Sequence, residues 1–297
     1  MTKALIDIWD ALEAQDEREL PKTRNLKVRA PFGYIGGKYR SVDALRDILP
    51  YTPKYVEVFG GSGVVLLNRE PVAFECYNDR YGGVVSFYQC IRDRDNLMRL
   101  KDLIDSTIYS RELFIEYRDT WKNVEDPVER AFRWYYHMAS SFAQKGKHFG
   151  RGMEKSLSHI FASFPSFEFA HKRLRNVLIE NLDWQQCIND FDSPETVFYC
   201  DPPYVKDEIW EQAYEHQFKN SDHIRLCDHA FKVKGYVAIS GYKNKLYEKY
   251  PWTDIKTWEV SVSSKGQAFD ANNNMEDKRD IMKRGYHTEY LYIKDFA

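Results

Sequence analysis

The tetrapeptide Asp201-Pro202-Pro203-Tyr204 combines groups that could bind a planar base carrying an exocyclic amino group. The Asp201 carboxylate and a backbone carbonyl fixed by proline can both accept hydrogen bonds from one amine. The two prolines stiffen the segment because each has a locked φ and no N–H, and the Tyr204 ring offers a stacking face. The alternative interpretation is a tight turn after a strand, which Asp-Pro often forms.

A second candidate site is the loop Phe59-Gly60-Gly61-Ser62-Gly63, which lies between a predicted strand at 54–59 and a predicted helix from residue 64. In doubly wound sheets, ligands bind beyond the carboxyl ends of the strands. Glycines at that place let the backbone approach a ligand closely. The loop fits a nucleotide-like cofactor without specifying one, because it matches neither the dinucleotide fingerprint nor the Walker pattern.

The next predicted strand, at 74–77, runs into Asn78 and Asp79. An acidic side chain at that position can accept hydrogen bonds from both hydroxyls of a ribose. The alternative is a helix N-cap, which is a common use of aspartate.

Composition narrows the class of protein. The chain has 297 residues, a net charge of −2 and 43% hydrophobic residues, which indicates one globular core domain with a large insertion. No apolar run approaches the roughly 18 residues that a membrane span needs. The five cysteines are scattered and form no Cys-x-x-Cys pair, so neither a metal site nor a disulfide framework is expected. A reduced, intracellular protein is the simplest interpretation.

Positive charge is concentrated in one part of the chain. Residues 130–175 contain nine Lys and Arg but only two Asp and Glu, in a chain that is acidic overall. Such a basic stretch indicates contacts with phosphate groups. The alternative is a solvated basic face.

Alternating strand and helix patterns predict an α/β fold with a doubly wound, mainly parallel sheet. Strands are expected at 54–59, 74–77, 177–179, 197–200 and 236–240, followed by an antiparallel edge hairpin at 255–262 and 286–293. The pattern at 106–175 is aromatic and basic, and it predicts a mostly helical insertion. The predicted division is therefore an N-terminal arm at 1–30, with an amphipathic helix at 4–20, a core domain at 31–105 and 176–297, and an inserted region at 106–175.

Four motifs in order give this chain a family resemblance. They are Pro31-Phe32-x-x-x-Gly36-Gly37-Lys38, Glu57-x-Phe59-x-Gly61-x-Gly63, Asn78-Asp79 and, after the insertion, Asp201-Pro202-Pro203-Tyr204. The chain resembles the Dam-type class of adenine-N6 DNA methyltransferases over nearly all of its length from residue 31 onward. The resemblance implies a site-specific enzyme with the methyltransferase fold, S-adenosylmethionine as its cofactor and double-stranded DNA as its substrate. It also implies a cytoplasmic protein encoded by a bacterium or bacteriophage, either solitary or paired with a restriction endonuclease.

The resemblance assigns roles to individual residues. It implies that the cofactor is bound by Tyr34, Gly37, Lys38, Glu57, Phe59, Gly60, Gly61, Ser62, Gly63, Asp79, Asp183, Trp184 and Asp201. The target adenine, flipped out of the duplex, would be received by Asp201, Pro202, Pro203 and Tyr204. No metal is implied.

The insertion is where the resemblance is weakest. Relatives that read GATC carry a recognition run that is absent from residues 140–152, so a different target sequence is expected. We expect residues 106–175 to recognise DNA, with Lys145, Lys147 and Arg151 in contact with it. Two alternatives are methylation of another amine or amide, such as an RNA adenine, and a catalytically silent DNA-binding module. Asp201 counts against protein-glutamine substrates, whose enzymes typically carry Asn there.

Overall fold

The computed structural model describes residues 27–150, 163–205, 218–261 and 286–296. Seven strands form one sheet: β1 (Lys54–Glu57), β2 (Phe74–Asn78), β3 (Leu178–Glu180), β4 (Thr196–Cys200), β5 (Tyr236–Gly241), β6 (Asp254–Ser261) and β7 (Tyr286–Lys294). All seven were predicted from the sequence to within two residues at each end. Strand β1 stops at Glu57, before the glycine-rich loop.

The sheet has the order β3-β2-β1-β4-β5-β7-β6. Strands β1 to β5 pair in parallel, whereas β7 is antiparallel to both β5 and β6. The predicted fold class is therefore confirmed, including the antiparallel edge hairpin. The strand order reverses between β1 and β4, and this is the point where doubly wound sheets bind ligands.

The pairing of β1 with β4 brings the two predicted site loops together. Glu57 at the end of β1 is level with Tyr199 of β4, and the backbone N–H of Val58 donates to the Tyr199 carbonyl at 3.0 Å. The glycine loop and the Asp201–Tyr204 segment therefore leave the sheet side by side at its carboxyl edge.

Nine α-helices surround this sheet within the described ranges. They are α1 (Val42–Ile48), α2 (Val64–Leu67), α3 (Gly82–Arg92), α4 (Arg94–Asp105), α5 (Arg111–Thr120), α6 (Pro127–Ser140), α7 (Phe164–Leu174), α8 (Trp184–Phe191) and α9 (Asn220–Ala230). A 3₁₀ turn at Lys38–Ser41 precedes α1. None of these helices is long and apolar enough to cross a membrane.

The inserted region is mostly helical, as predicted. Helix α6 begins where the Asp126 side chain accepts hydrogen bonds from the backbone of Val128 and Glu129, with a proline in the first turn. Its Trp134 and Tyr135 are fully buried in a core that also contains Phe87 of α3. Because α6 and α7 share this core with α3, the insertion is held firmly against the sheet domain. The predicted division into domains stays a prediction.

Some charges of the basic stretch are structural. Arg173 on α7 is buried and pairs with Glu75 of β2, with Nη1 and Oε2 separated by 2.6 Å. Arg133 on α6 pairs with Glu129 at 2.8 Å. The excess of positive charge at 130–175 is therefore not a single exposed face, and only part of it is available to a ligand.

Several sequence predictions fall on residues outside the described ranges. These are Arg151 and residues 1–26 of the predicted N-terminal arm, which include its predicted helix at 4–20. The five cysteines are all buried, and none of them forms a disulfide. Among the described residues, no group of His, Cys, Asp and Glu is arranged to hold a metal ion.

Candidate active site

A cleft of about 1210 Å³ opens at the carboxyl edge of the sheet, over the ends of β1 and β4. Most residues singled out from the sequence line it. They are Tyr34, Gly37, Lys38, Glu57, Phe59, Gly60, Gly61, Ser62, Asp79, Lys145, Lys147, Asp183, Trp184, Asp201, Pro202, Pro203 and Tyr204. Gly63 lies behind this lining, where it begins α2.

The glycine loop is shaped by close contacts with tyrosine rings. A Cβ atom on Gly60 would lie 2.2 Å from the Tyr77 ring, and one on Gly61 would lie 3.0 Å from the Tyr34 ring. Gly61 and Gly63 have φ values of +50° and +63°, a region that favours glycine. The Tyr77 hydroxyl donates to the Gly61 carbonyl at 2.6 Å. The loop can therefore follow this path only without side chains at these positions.

Asp79 holds the other side of this loop. Its Oδ2 accepts from the Gly61 N–H at 2.7 Å, and its Oδ1 accepts from the Tyr81 N–H at 2.7 Å. The side chain thus fixes the turn into α3 and faces the cleft at the same time. A carboxylate oxygen can accept more than one hydrogen bond, so these contacts leave capacity for a bound diol.

Glu57 is the most deeply buried carboxylate of the site. Only 2% of its surface is exposed, and its Oε2 accepts hydrogen bonds from the Tyr55 hydroxyl at 3.0 Å and from the Leu66 N–H at 2.8 Å. Burial raises the pKa of Glu57 to about 8, while these two hydrogen bonds oppose the rise. A carboxyl with this pKa responds strongly to any cation that enters the cleft.

An aromatic wall closes the cleft next to the glycine loop. The rings of Phe59 and Trp184 both meet Phe218 edge-on, at centroid distances of 5.5 and 6.5 Å. Asp183 caps helix α8 by accepting from the Gln185 N–H at 3.0 Å. Phe218 was missed in the sequence, because a single phenylalanine outside any recognisable strand carries no signal of its own.

Asp201 is paired through one of its two oxygens. Lys38 lies with its Nζ 2.8 Å from Oδ2 of Asp201, and the same ammonium donates to the Gly36 carbonyl at 2.9 Å. Lys38 is 7% exposed, so this is a largely desolvated pair. The sequence placed Lys38 in the cofactor segment; the structure also brings it onto the catalytic candidate.

The second oxygen of Asp201 has no partner. Oδ1 is buried and makes no hydrogen bond within the described residues. Burial raises the pKa of Asp201 and the nearby Glu289 charge adds to the rise, while the Lys38 ammonium and the Tyr204 hydroxyl oppose it. An unpaired buried acceptor is costly, and one with raised basicity is suited to accept a hydrogen bond from a donor that arrives with the substrate.

Tyr204 is held at its ring face, its edge and its hydroxyl. The Lys38 Nζ lies 4.7 Å from the ring centroid, and Tyr242 meets the ring edge-on at 4.7 Å. The hydroxyl donates to Oε2 of Glu289 at 2.5 Å. The side chains of Tyr242, Glu289 and His287 all line the cleft, yet sequence reasoning assigned none of them a role.

The inserted region forms the wall opposite the hairpin. Lys145 and Lys147 are exposed there, and they line the cleft with Lys122 and Trp121. The tip also reaches the first motif, because a Cβ on Gly33 would clash with the Gln144 side chain. The insertion thus contributes exposed positive charge directly to the rim of the site.

Comparison with known proteins places this geometry in a family. A family model described as D12 class N6 adenine-specific DNA methyltransferase matches residues 34–264. The chain is 26% identical to DNA adenine methylase of Escherichia coli K12 over 189 residues, which cover 60% of this chain and 66% of that protein. It is 26% identical to DNA adenine methylase of Salmonella typhi over 194 residues, with the same coverage.

A third relative is the modification methylase StsI of Streptococcus sanguinis, with 23% identity over 201 residues, 60% of this chain and 29% of that protein. The match to the two adenine methylases thus spans just under two thirds of their length. The matched segment of the family model contains the glycine loop, Asp79 and the Asp201–Tyr204 segment. The chain therefore belongs to the D12 class N6 adenine-specific DNA methyltransferase family.

Proposed function

We propose that this protein transfers a methyl group from S-adenosylmethionine to the exocyclic amino nitrogen of an adenine flipped out of double-stranded DNA. The observation that carries the proposal is the unpaired, buried Oδ1 of Asp201, in a cleft that it shares with the glycine loop. Family membership supports a methyl donor and a DNA substrate.

The residues around the glycine loop fit the proposed cofactor. Gly60 and Gly61 let the loop backbone pass against the Tyr77 and Tyr34 rings at the edge of the cleft. Asp79 offers a carboxylate for ribose hydroxyls, and Phe59, Trp184 and Phe218 offer an aromatic wall for an adenine ring. Glu57 provides a carboxylate next to a cationic amino acid moiety. When bound, S-adenosylmethionine supplies an electrophilic methyl group attached to a sulfonium.

Asp201 and Pro202 perform the main chemical task in this proposal. An adenine amino group is a poor nucleophile because its lone pair is delocalised into the ring. Hydrogen bonds from this amine to Asp201 Oδ1 and to the Pro202 carbonyl would orient the lone pair and stabilise the positive charge that develops on nitrogen. Lys38 keeps Oδ2 occupied, so the carboxylate presents its other oxygen to the substrate.

Tyr204 and the insertion would handle the DNA itself. Extruding a base from the duplex costs a few kcal/mol, and stacking on the Tyr204 ring would offset roughly 1–3 kcal/mol of that cost. Lys145 and Lys147, on the rim of the cleft, would contact phosphates. The division of the chain into a methyltransferase domain at 31–105 and 176–297 and a recognition region at 106–175 is part of this proposal.

The test is methylation of a random-sequence DNA library with the purified protein, read base by base, beside an RNA library of the same design. We expect N6-methyladenine in DNA within a defined sequence context and none without S-adenosylmethionine. Methylation of the RNA library alone would replace DNA by RNA as the substrate. The absence of cofactor binding by calorimetry, together with intact DNA binding, would instead indicate a catalytically silent module.

A further inference from the structure

Four side chains form a closed set of contacts beside Asp201, and we call them the tyrosine clamp: Tyr204, Tyr242, His287 and Glu289. The Tyr204 hydroxyl donates to Oε2 of Glu289 at 2.5 Å, and Oε1 of Glu289 lies 2.8 Å from Nε2 of His287. The Tyr242 ring meets Tyr204 at 4.7 Å and His287 at 5.6 Å between centroids. Each member thus touches two others.

Burying Glu289 at this position costs free energy. It lies on β7 and is only 5% exposed, and burying a carboxylate is unfavourable unless hydrogen bonds compensate for the loss of water. Its hydrogen bonds to side chains go to Tyr204 and His287, both of which line the cleft. Among the described residues, the Glu289 carboxylate therefore bonds to side chains of the site and not to a lysine or arginine.

Tyr204 is a permanent donor in this contact. Burial raises the pKa of Tyr204 well above its usual value, and the charges of Asp201 and Glu289 raise it further. The phenol therefore stays protonated and its hydroxyl hydrogen points to Glu289. This fixes the ring from its far end, while the backbone fixes it through two prolines at the near end.

The same contact changes the electronic character of the ring. A phenol that donates to a carboxylate gains electron density, and an electron-rich ring face attracts positive charge more strongly. The Lys38 ammonium already lies 4.7 Å from this ring centroid. In the proposed reaction, positive charge develops on the amine of a base that stacks on the same ring.

We propose that Glu289 is a positioning residue for methyl transfer, which fixes the plane of the Tyr204 ring and strengthens its attraction for the cationic transition state. This inference rests on the proposed function. Glu289 acts through the Tyr204 hydroxyl, so its loss should slow the chemical step while leaving cofactor and DNA affinity unchanged. His287 holds the second oxygen of Glu289 and supports this orientation.

The experiment measures single-turnover transfer of labelled methyl groups from S-adenosylmethionine to genomic DNA from a bacterial strain that lacks adenine methylation. The variants are Glu289→Gln, which keeps the shape and removes the charge, Tyr204→Phe, which keeps the ring and removes the hydroxyl, and the double variant. Glu259→Gln is the matched control, because Glu259 lies on the same hairpin, where it accepts from the Thr288 hydroxyl at 2.6 Å.

We expect Glu289→Gln to lower the single-turnover rate by about tenfold, which equals roughly 1.4 kcal/mol in the barrier. The double variant should be no slower than the slower single variant, because both changes remove one interaction. Calorimetric affinity for S-adenosylmethionine and DNA affinity should match the wild type, and Glu259→Gln should behave as the wild type throughout.

Any one of four results would overturn this inference. A wild-type rate in Glu289→Gln, or additive losses in the double variant, would show that Glu289 does not act through Tyr204. A loss of cofactor affinity and thermal stability as large as the loss of rate would show a merely structural role. No transfer by the wild-type protein itself would refute the proposed function, and this inference with it.

Discussion

The loops that follow β1 and β4 leave neighbouring strands, yet they are held in opposite ways. The glycine loop after β1 is held through its own backbone atoms: the Gly60 N–H donates to the Asn78 carbonyl at 2.7 Å, and the Gly61 N–H donates to the Asp79 carboxylate at 2.7 Å. The segment after β4 is fixed by side chains, with Asp201 paired to Lys38 and Tyr204 bonded to Glu289.

The two loops also differ in what they leave unsatisfied. Asp79 accepts one backbone hydrogen bond on each oxygen, so the glycine loop is complete before any ligand arrives. Asp201 keeps one buried oxygen that accepts no hydrogen bond from the described part of the chain. The glycine loop therefore supplies a preformed surface, and the segment after β4 supplies the group that takes part in the reaction. A preformed cradle suits a cofactor, and an unpaired acceptor suits the group that is chemically changed.

The largest expected effect is on the reactive loop. Asp201→Ala removes both oxygens, so transfer should fall by at least ~10²-fold, as when one stabilising group is lost in other enzymes. Cofactor affinity, measured by calorimetry, should change far less than the rate. Asp190→Ala, at an exposed position on α8, is the control. Near-normal turnover of Asp201→Ala would contradict the assignment of the reactive group to the segment after β4.

The next largest effect is expected for the glycine loop. In Gly60→Ala, the new Cβ would lie 2.2 Å from the buried Tyr77 ring, and overpacking of this kind typically costs about 1–3 kcal/mol. We expect cofactor affinity to fall by a corresponding amount. Gly82→Ala is the matched control, since its Cβ would meet Asn181 at an ordinary 3.7 Å. Equal cofactor affinity in both variants would contradict the proposal that the glycine loop is a preformed cofactor site.

Per pH unit, a smaller effect should appear in the pH dependence of stability. Burial raises the pKa of Glu57 to about 8, above its value in the unfolded chain. Between about pH 4.5 and 8 the folded protein keeps a proton that the unfolded chain releases, so stability should fall as pH rises, by up to about 1.4 kcal/mol per pH unit. The stability of Glu57→Gln, measured by thermal unfolding, should depend less on pH than that of the wild type. The same pH dependence in both proteins would show that Glu57 is not its cause.

The smallest expected effect concerns the rim. Replacing both Lys145 and Lys147 by alanine should weaken DNA binding to all sequences and flatten its salt dependence by about one unit of slope for each lost phosphate contact. The control is the pair Lys232 and Lys234, which are exposed just before β5 at the opposite edge of the sheet. An unchanged slope in the double alanine variant would indicate that Lys145 and Lys147 belong to a solvated basic face and do not contact DNA.

The sheet and both loops could be predicted from the sequence because their signals are local. Short apolar runs marked the strands, and the glycines and prolines marked the loops that follow β1 and β4. The insertion was also predicted to be helical, since its sequence is aromatic, basic and low in β-branched runs.

The contacts that complete the site could not be predicted, because they join residues far apart in the chain. Lys38 lies in the turn before α1 and Asp201 follows β4, and only the folded chain brings their side chains within 2.8 Å of each other. Glu289 reaches Tyr204 because β7 pairs with β5, which no local pattern reveals. The basic stretch was misleading in part for the same reason, since Arg173 finds its partner Glu75 only in the folded core.

The most direct measurement of the central claim is the single-turnover yield of N6-methyladenine with Asp201→Asn, beside its affinity for S-adenosylmethionine. Asparagine keeps the size and shape of the side chain but loses the charge that faces the target amine. We expect a rate at least ~10²-fold below the wild type with the cofactor still bound. Wild-type transfer by Asp201→Asn would contradict it, because the carboxylate would then not stabilise the reacting amine.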